Sequence, residues 1–529
     1  MRARAVHDCV YSTTNLGHDE VVATLSGHAG DASAQRRVLN SKRGRGFARR
    51  SLLMGAAVAA LAAVLLPACE TPHPGIDPVE VRVAPIAAVR TLDPFLEDVS
   101  ERTFNFFWET AEPGTGLVPD RWPKPPFSSI AAVGFALNAY AIGSERGYVT
   151  RAQASERTLT TLRFLLNAQQ DTSPDQASGY QGFFYHFVNF TTGKRYGDSE
   201  LSTVDTALLM GGVLFAGGYF DQDNPEEKEI RRIAEELYGR VNWPWAIQLN
   251  PDIRMAWSPE LQFGGHDWRG YNEAMLVFIL ALGSPTYPTS PDSWHAWTSD
   301  YYQYWGTLEG QTHLTFGPMF GHQYTHVWID LRGIKDEFMW PLNMDYFENS
   351  RRAVLAQRAY AIRNPMDWKG YGPNIWGLTA SDGPGDHALP YLGQTRHFYS
   401  YAARGVGLTD VLDDGTIAPT AALGSLPFAP EVVIPAAKEM YKRYGRHIYG
   451  KYGFVDSFNP SFDYDVPLRH GKRVRGVGWV SDEHLGIDQG PIISMIENYR
   501  SELIWIVMKR NEHIRTGLKR AGFEGGWLE

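Results

Sequence analysis

The 529-residue chain contains only two cysteines, Cys9 and Cys69, and both stand in segments that read as lying outside the folded domain. No disulfide is expected to hold the fold. Beyond residue 50 there is no block of basic residues, and the net charge is -9 with a pI near 6.0. That pattern lacks the electrostatic footprint of a nucleic-acid binder, so no nucleic-acid partner is expected. No internal repeat of fixed period is found, which argues against a stacked helical solenoid. Alternating apolar and polar runs are also scarce, and Gly182 to Phe190 is the best of them. Finally, no GxGxxG, GxxxxGKS/T, HExxH or GxSxG motif opens a plausible element. Dinucleotide, P-loop, zincin and nucleophile-elbow chemistries are thereby excluded.

The sequence does contain ample apolar material, 43% against 21% charged residues, enough for one large core. Its 16 Trp and 26 Tyr exceed what such a core needs, so many rings are expected to face a ligand. Near the start, Arg49-Arg50-Ser51 precedes an apolar run from Met54 to Leu66, followed by Leu66-Pro67-Ala68-Cys69. The run is too short to cross a bilayer and reads as an export signal, with the twin arginine pointing to the Tat route. Leu-Pro-Ala-Cys resembles the bacterial lipobox, which implies acylation of Cys69, loss of residues 1–68, and a membrane-anchored lipoprotein in the periplasm or outer membrane. A plain secretory signal with an incidental cysteine is the competing reading. Residues 1 to 40 are unpatterned and fit a start site assigned too far upstream. Residues 69–90 read as a Pro-rich tether, and 91–529 as the folded domain.

Within that domain helical signals dominate. Asp93 and Pro94 open one helix, and Thr150 with Gln153 forms a capping box for another. Further helices are predicted over 128–143, 201–216, 225–240, 270–282, 291–305, 345–362, 430–445 and 486–510. Ser128–Gly143 and Leu201–Ala216 are apolar nearly all round, whereas Thr150–Gln169 and Pro225–Arg240 carry charged faces. This alternation suits an all-α toroid of helical hairpins, with an inner ring buried on every side and an outer ring buried on one. The loops Asn242–Tyr271, Gly306–Asn343, Asn364–Val411 and Tyr452–Leu485 are long and rich in Trp, Tyr, His, Gly and Asp, so they are expected to line a cleft.

The chemistry left open is that of carboxylates among aromatics. Sugar rings stack on Trp and Tyr, while one carboxyl protonates the leaving oxygen and another activates water or attacks the anomeric carbon. The sharpest cluster is Trp268-Arg269-Gly270-Tyr271-Asn272-Glu273-Ala274-Met275, in which Glu273 is placed in the first turn of an apolar helix. A helix-dipole glutamate would look the same. Glu200 and Asp205 form a second cluster, although Ser202 and Asp205 also have capping-box spacing. Asp382 and Asp488 stand in Asp-Gly-Pro and Asp-Gln-Gly-Pro segments, where Asx-turn chemistry competes with function. His322, His326 and Asp330 could ligate a metal if helical, but no further ligand set completes them. Binding of sugar hydroxyls is the reading retained, and no metal or cofactor is implied.

Seven segments carry a family resemblance. They are Gly-Phe-Phe-Tyr-His-Phe at 182–187, Glu-Leu-Ser-Thr-Val-Asp-Thr-Ala-Leu-Leu at 200–209, Gly-Tyr-Asn-Glu-Ala-Met at 270–275, Asp-Tyr-Phe-Glu-Asn-Ser at 345–350, Trp-Gly-Leu-Thr-Ala-Ser-Asp-Gly-Pro at 376–384, Ala-Pro-Thr-Ala-Ala-Leu-Gly-Ser at 418–425 and Gly-Ile-Asp-Gln-Gly-Pro at 486–491. In order, and spanning about 95 to 525, they resemble the glycoamylase-like domain of glycoside hydrolase family 144. The resemblance implies an (α/α)6 toroid, hydrolysis of β-1,2-glucan with inversion, Glu273 as proton donor and a need for acids near Asp205. The base stays open among Asp205, Asp382 and Asp488, and action through a chain of water is equally open. Tyr185, His186, Trp268, Tyr271, Asn272, His322, His326, Trp328, Asp330 and Trp376 are the expected substrate-binding residues. The alternatives are a non-catalytic glucan-binding lipoprotein, or a hydrolase or transglycosylase acting on another glucan linkage. A monomer is expected.

Overall fold

Helices of two burial types alternate along the chain. In order they are Pro94–Thr110 (α1), Ile130–Glu145 (α2), Arg151–Asn167 (α3), Thr203–Tyr219 (α4), Pro225–Gly239 (α5), Met275–Gly283 (α6) and Asp292–Thr298 (α7). There follow Tyr324–Trp328 (α8), Tyr346–Arg363 (α9), Pro419–Leu423 (α10), Pro430–Ile448 (α11), Gly486–Ser501 (α12), Leu503–Met508 (α13) and Glu512–Arg520 (α14). The computed structural model describes residues 89–125 and 127–529, all in one compact unit. The export signal, Cys69 and most of the tether lie outside the described residues.

The even-numbered helices from α2 to α12 are buried almost all round, as their apolar composition requires. The odd-numbered helices bury one stripe. In α5 that stripe is Ile230, Ile233, Ala234, Leu237 and Tyr238, at helical spacing. Helix starts follow their caps. Asp93 accepts the Phe95 N–H at 3.0 Å, and Thr150 and Gln153 form the expected capping box.

The buried helices pack on one another, α2 against α4 and α12, α4 against α6, and α10 against α12. Glycine sets the closest approach. A Cβ at Gly212 of α4 would fall 2.1 Å from the Gly134 carbonyl oxygen of α2, and one at Gly134 would fall 2.4 Å from that of Leu208. The two helices therefore meet backbone to backbone.

Several predicted boundaries shift. The 270–282 prediction starts late, because α6 begins at Met275 and leaves Glu273 in the turn before it. The 291–305 helix is α7 followed by a 3-10 turn at Tyr301–Gln303. The 486–510 helix breaks at Glu502, whose φ of 59° divides α12 from α13. Helices α8 and α10 lie inside or beside predicted loops, since five residues are too few to show a period. The Gly182–Phe190 run splits into Phe183–Phe184 and Phe187–Asn189. Short antiparallel ladders tie the long loops together, pairing Arg121–Trp122 with His484–Leu485, Phe127–Ser129 with Phe187–Asn189, and Leu201–Ser202 with Ala256–Trp257.

Candidate active site

The N-terminal ends of the buried helices carry most of the polar groups of interest. Ser129 caps α2, Ser202 caps α4 with Asp205 in its first turn, Glu273 precedes α6, and Asp488 sits in the first turn of α12. Unpaired N–H groups and the positive end of the helix dipole favour carboxylates at such positions. Beside them opens a cleft of about 390 Å³, whose lining includes Asp120, Arg121, His186, Asp382, Tyr401 and His470.

Behind Asp382 of the cleft lining, two further aspartates converge, Asp456 from a loop and Asp488 from the first turn of α12. The Asp382 N–H donates to Asp456 Oδ2 at 3.0 Å, and the Ser457 hydroxyl bridges Asp456 Oδ2 at 2.6 Å and the Asp382 carbonyl at 2.8 Å. Asp456 and Asp488 face one another, and both are buried. Burial first, then the neighbouring carboxylates, raises Asp456 to about 7 and holds Asp488 well above the usual carboxylate range. The pair therefore keeps a proton near neutral pH. Arg121 balances part of the remaining charge. Its guanidinium donates to Asp382 Oδ2 at 3.1 Å, Glu483 Oε2 at 2.9 Å and Asp120 Oδ2 at 3.3 Å. It is fixed by the Arg121↔Leu485 pairing, and next to it the Gly486 N–H donates to the Asp120 carbonyl at 2.7 Å. Asp382, His470 and Glu483 bring one ligand atom each within 4.8 Å of one another, a spacing a cation could use. Arg121 already pairs with two of the three.

His186 organises a second group. Its backbone is held between strands, donating to the Glu200 carbonyl and accepting from Ile130 N–H. Its ring touches two acids, with Nδ1 2.9 Å from Glu200 Oε1 and Nε2 3.6 Å from Asp205 Oδ1. Burial opposes the cation, but Asp205 and Glu200 outweigh it and raise His186 to about 9. It is an imidazolium at neutral pH. Asp205 also performs the capping role, its N–H donating to Ser202 Oγ at 3.1 Å and its Oδ2 accepting from that hydroxyl at 2.5 Å.

Glu273 is buried, and Thr325 Oγ1 donates to its carbonyl at 3.4 Å. The phenol of Tyr324 feels the charges of these groups. Burial, followed by the charges of Asp488, Glu273 and Asp205 among its neighbours, pushes its pKa well above the ordinary value. Tyr401 is held up in the same way, by burial and then by Asp488, Asp382, Asp456 and Asp120. Of the acids predicted from the sequence, Asp205, Glu273 and Asp488 thus act on Tyr324, and Asp382 and Asp488 on Tyr401.

Comparison with known proteins matches residues 265–512 to the Glycoamylase family, described as "putative glucoamylase". An exo β-1,2-glucooligosaccharide sophorohydrolase from Parabacteroides distasonis is 30% identical over 81% of this chain, which spans 58% of that relative's length. A structure from Bacteroides uniformis bearing the same glucoamylase description is 33% identical, covers 83% of this chain and 100% of its own, and has a TM-score of 0.71. The endo-β-1,2-glucanase of Chitinophaga pinensis, solved with sophorotriose and glucose, is 30% identical over 83% of this chain and 100% of its own, with a TM-score of 0.70. The chain belongs to the glycoamylase-like family and is a glycoside hydrolase.

The remaining predicted site residues of this glycoamylase-like hydrolase are dispersed. Trp268 is buried and donates its indole N–H to Thr203 Oγ1 at 2.8 Å. Tyr271 stacks on Tyr346 with centroids 5.8 Å apart, and Asn272 braces its own turn through Arg269 and Ala274. Trp328 lies in the core, stacked on Phe135 and donating to Asn138. Tyr185 packs under the Arg195 guanidinium, and Trp376 is buried. Asp330 pairs with Arg332 and Lys509. His322 and His326 fall on two separate helical turns, with the His322 Nε2 near the Phe316 carbonyl and the His326 Nε2 near the Ser350 hydroxyl. Burial lowers both and keeps them neutral.

Asp120, Arg121, Asp456, Glu483, His470, Tyr324 and Tyr401 were not singled out by sequence. Asp456, Glu483 and His470 lie within the Tyr452–Leu485 loop and Tyr401 within Asn364–Val411, so loop length and aromatic content were the available signal. For Asp120 and Arg121 there was none.

Proposed function

We propose that this glycoside hydrolase cleaves β-1,2-glucan by inversion on an (α/α)6 toroid. The observation that carries the reading is a cleft where the carboxyls of Asp120 and Asp382 meet aromatic walls, with Asp382 bonded to the proton-retaining Asp456, in a chain that matches an endo-β-1,2-glucanase over 83% of its length. Glu273 protonates the departing glycosidic oxygen. A member of the Asp382, Asp456 and Asp488 group accepts a proton from the attacking water, directly or through a second water. Asp456 was not among the acids weighed from sequence. Its proton affinity near neutrality and its contact with Asp488 support adding it. His186 keeps Glu200 and Asp205 in place beside the sugar.

Purified protein incubated with linear β-1,2-glucan, laminarin, cellulose and starch is expected to release reducing ends from the first alone. Cleavage of starch only would reject the linkage. We further propose export and anchoring through Cys69, supported by Leu66-Pro67-Ala68-Cys69 after the apolar run. Mass spectrometry should find a diacylated mature terminus at Cys69; an unmodified terminus elsewhere overturns it.

A further inference from the structure

A continuous run of rings leads out of the acid group. His186 stacks on Phe187 with centroids 3.8 Å apart, Phe187 meets Phe127 at 4.6 Å, and Phe127 meets Tyr196 at 4.9 Å. Local pairing produces this order. In the antiparallel ladder Phe127 lies opposite Asn189 and Ser129 opposite Phe187, so the two phenylalanines are diagonal neighbours on one face. The Tyr196 N–H donates to the Phe187 carbonyl at 3.0 Å, which brings the third ring alongside. All four rings line the same cleft as Asp120 and Asp382. His186, Phe187 and Phe127 are half-buried, and Tyr196 is 37% exposed at the end of the run. An exposed tyrosine in line with two phenylalanines fills no void in the core. Ser400, Arg469 and His470 line the same cleft, and their polar groups suit hydroxyls.

We propose that the Phe187, Phe127 and Tyr196 rings form an accessory subsite for neutral glucosyl residues remote from the bond that is cut. The inference rests on the glucan-hydrolase reading and adds to it a preference for longer chains. The apolar face of a glucose ring loses water against an aromatic ring, while its rim hydroxyls reach the opposite wall. Short oligosaccharides that occupy only the acid end gain nothing from the run.

The test is kcat/KM on linear β-1,2-gluco-oligosaccharides of increasing length, in wild type, Tyr196→Ala, Tyr196→Trp and Phe127→Leu, with melting temperatures alongside. Wild type should favour long chains. Tyr196→Ala should cut the ratio of long-chain to short-chain kcat/KM about tenfold, the equivalent of about 1.4 kcal/mol, mainly through KM. Phe127→Leu keeps apolar volume but loses the ring, and it should shift the ratio in the same direction. Tyr196→Trp should keep the wild-type ratio. Tyr287→Ala, at an exposed tyrosine beyond the far end of α6, should match wild type. A wild type indifferent to length, or normally folded Tyr196→Ala and Phe127→Leu proteins with the wild-type ratio, overturns the subsite alone. A wild type that cleaves no β-1,2-glucan of any length rejects the parent reading, and the subsite falls with it.

Discussion

As the proposed proton donor, Glu273 must hold its proton until the glycosidic bond breaks, and its buried turn suits that task. Glu273→Gln keeps the shape and removes the proton. Turnover on glucan should fall about 10²-fold or more, the usual scale for losing general acid help, with substrate still bound and melting temperature little changed. An unchanged turnover would move the proton donor to the aspartate group. The sequence pointed to Glu273 through its aromatic neighbours, of which Trp268 and Tyr271 are buried in the structure. An aromatic-rich segment cannot by itself separate rings that line a cleft from rings that fill a core. Arg121 escaped notice for the converse reason. A lone arginine has no sequence signature, and its meaning comes only from the three carboxylates that chain folding brings to it.

At the scale of the helix, the α2–α4 contact is where the architecture is least tolerant. Gly212→Ala would drive a methyl group into the Gly134 backbone, which cannot yield as a flexible side chain would. Overpacking of this kind costs about 1–3 kcal/mol or more, and a lowered melting temperature with the cleft otherwise intact is the expected result. Long helices were legible in the sequence because their apolar pattern persists over several turns, as in α2, α4 and α5. The short buried α8 and α10 were not, and neither was the break at Glu502, where no glycine or proline marks the left-handed residue. Outside the Gly182–Phe190 run, two-residue strands were equally invisible, since pairing between distant loops decides them, not local propensity.

For the molecule as a whole, the site imposes a pH dependence on stability. His186 titrates near 6.5 unfolded and at about 9 folded, so its contribution is complete below 6.5 and is lost as pH rises to about 9. Asp456, raised from 3.8 to about 7, acts with the same sign at lower pH. The buried His313, His326 and His484, lowered to between about 3 and 4, act oppositely and only as pH falls below 6.5. Between pH 6.5 and 9 the loss should therefore be visible without opposition. Calorimetry is expected to show the wild-type melting temperature dropping across this interval and His186→Gln dropping less. An equal drop in both proteins would remove His186 from the account.

The placement of the acids at helix starts separates two kinds of demand on the chain. Stability is vested in the helical frame, and chemistry in the turns and loops that lead into it. Exchanging a loop such as Tyr452–Leu485, which supplies Asp456, His470 and Glu483, alters the reacting surface and leaves the contacts between buried helices untouched. A frame divided in this way can be diversified piecemeal. New glucan linkages would be reached by remodelling the entrances to the helices, while the glycine-tight interior stays as it is.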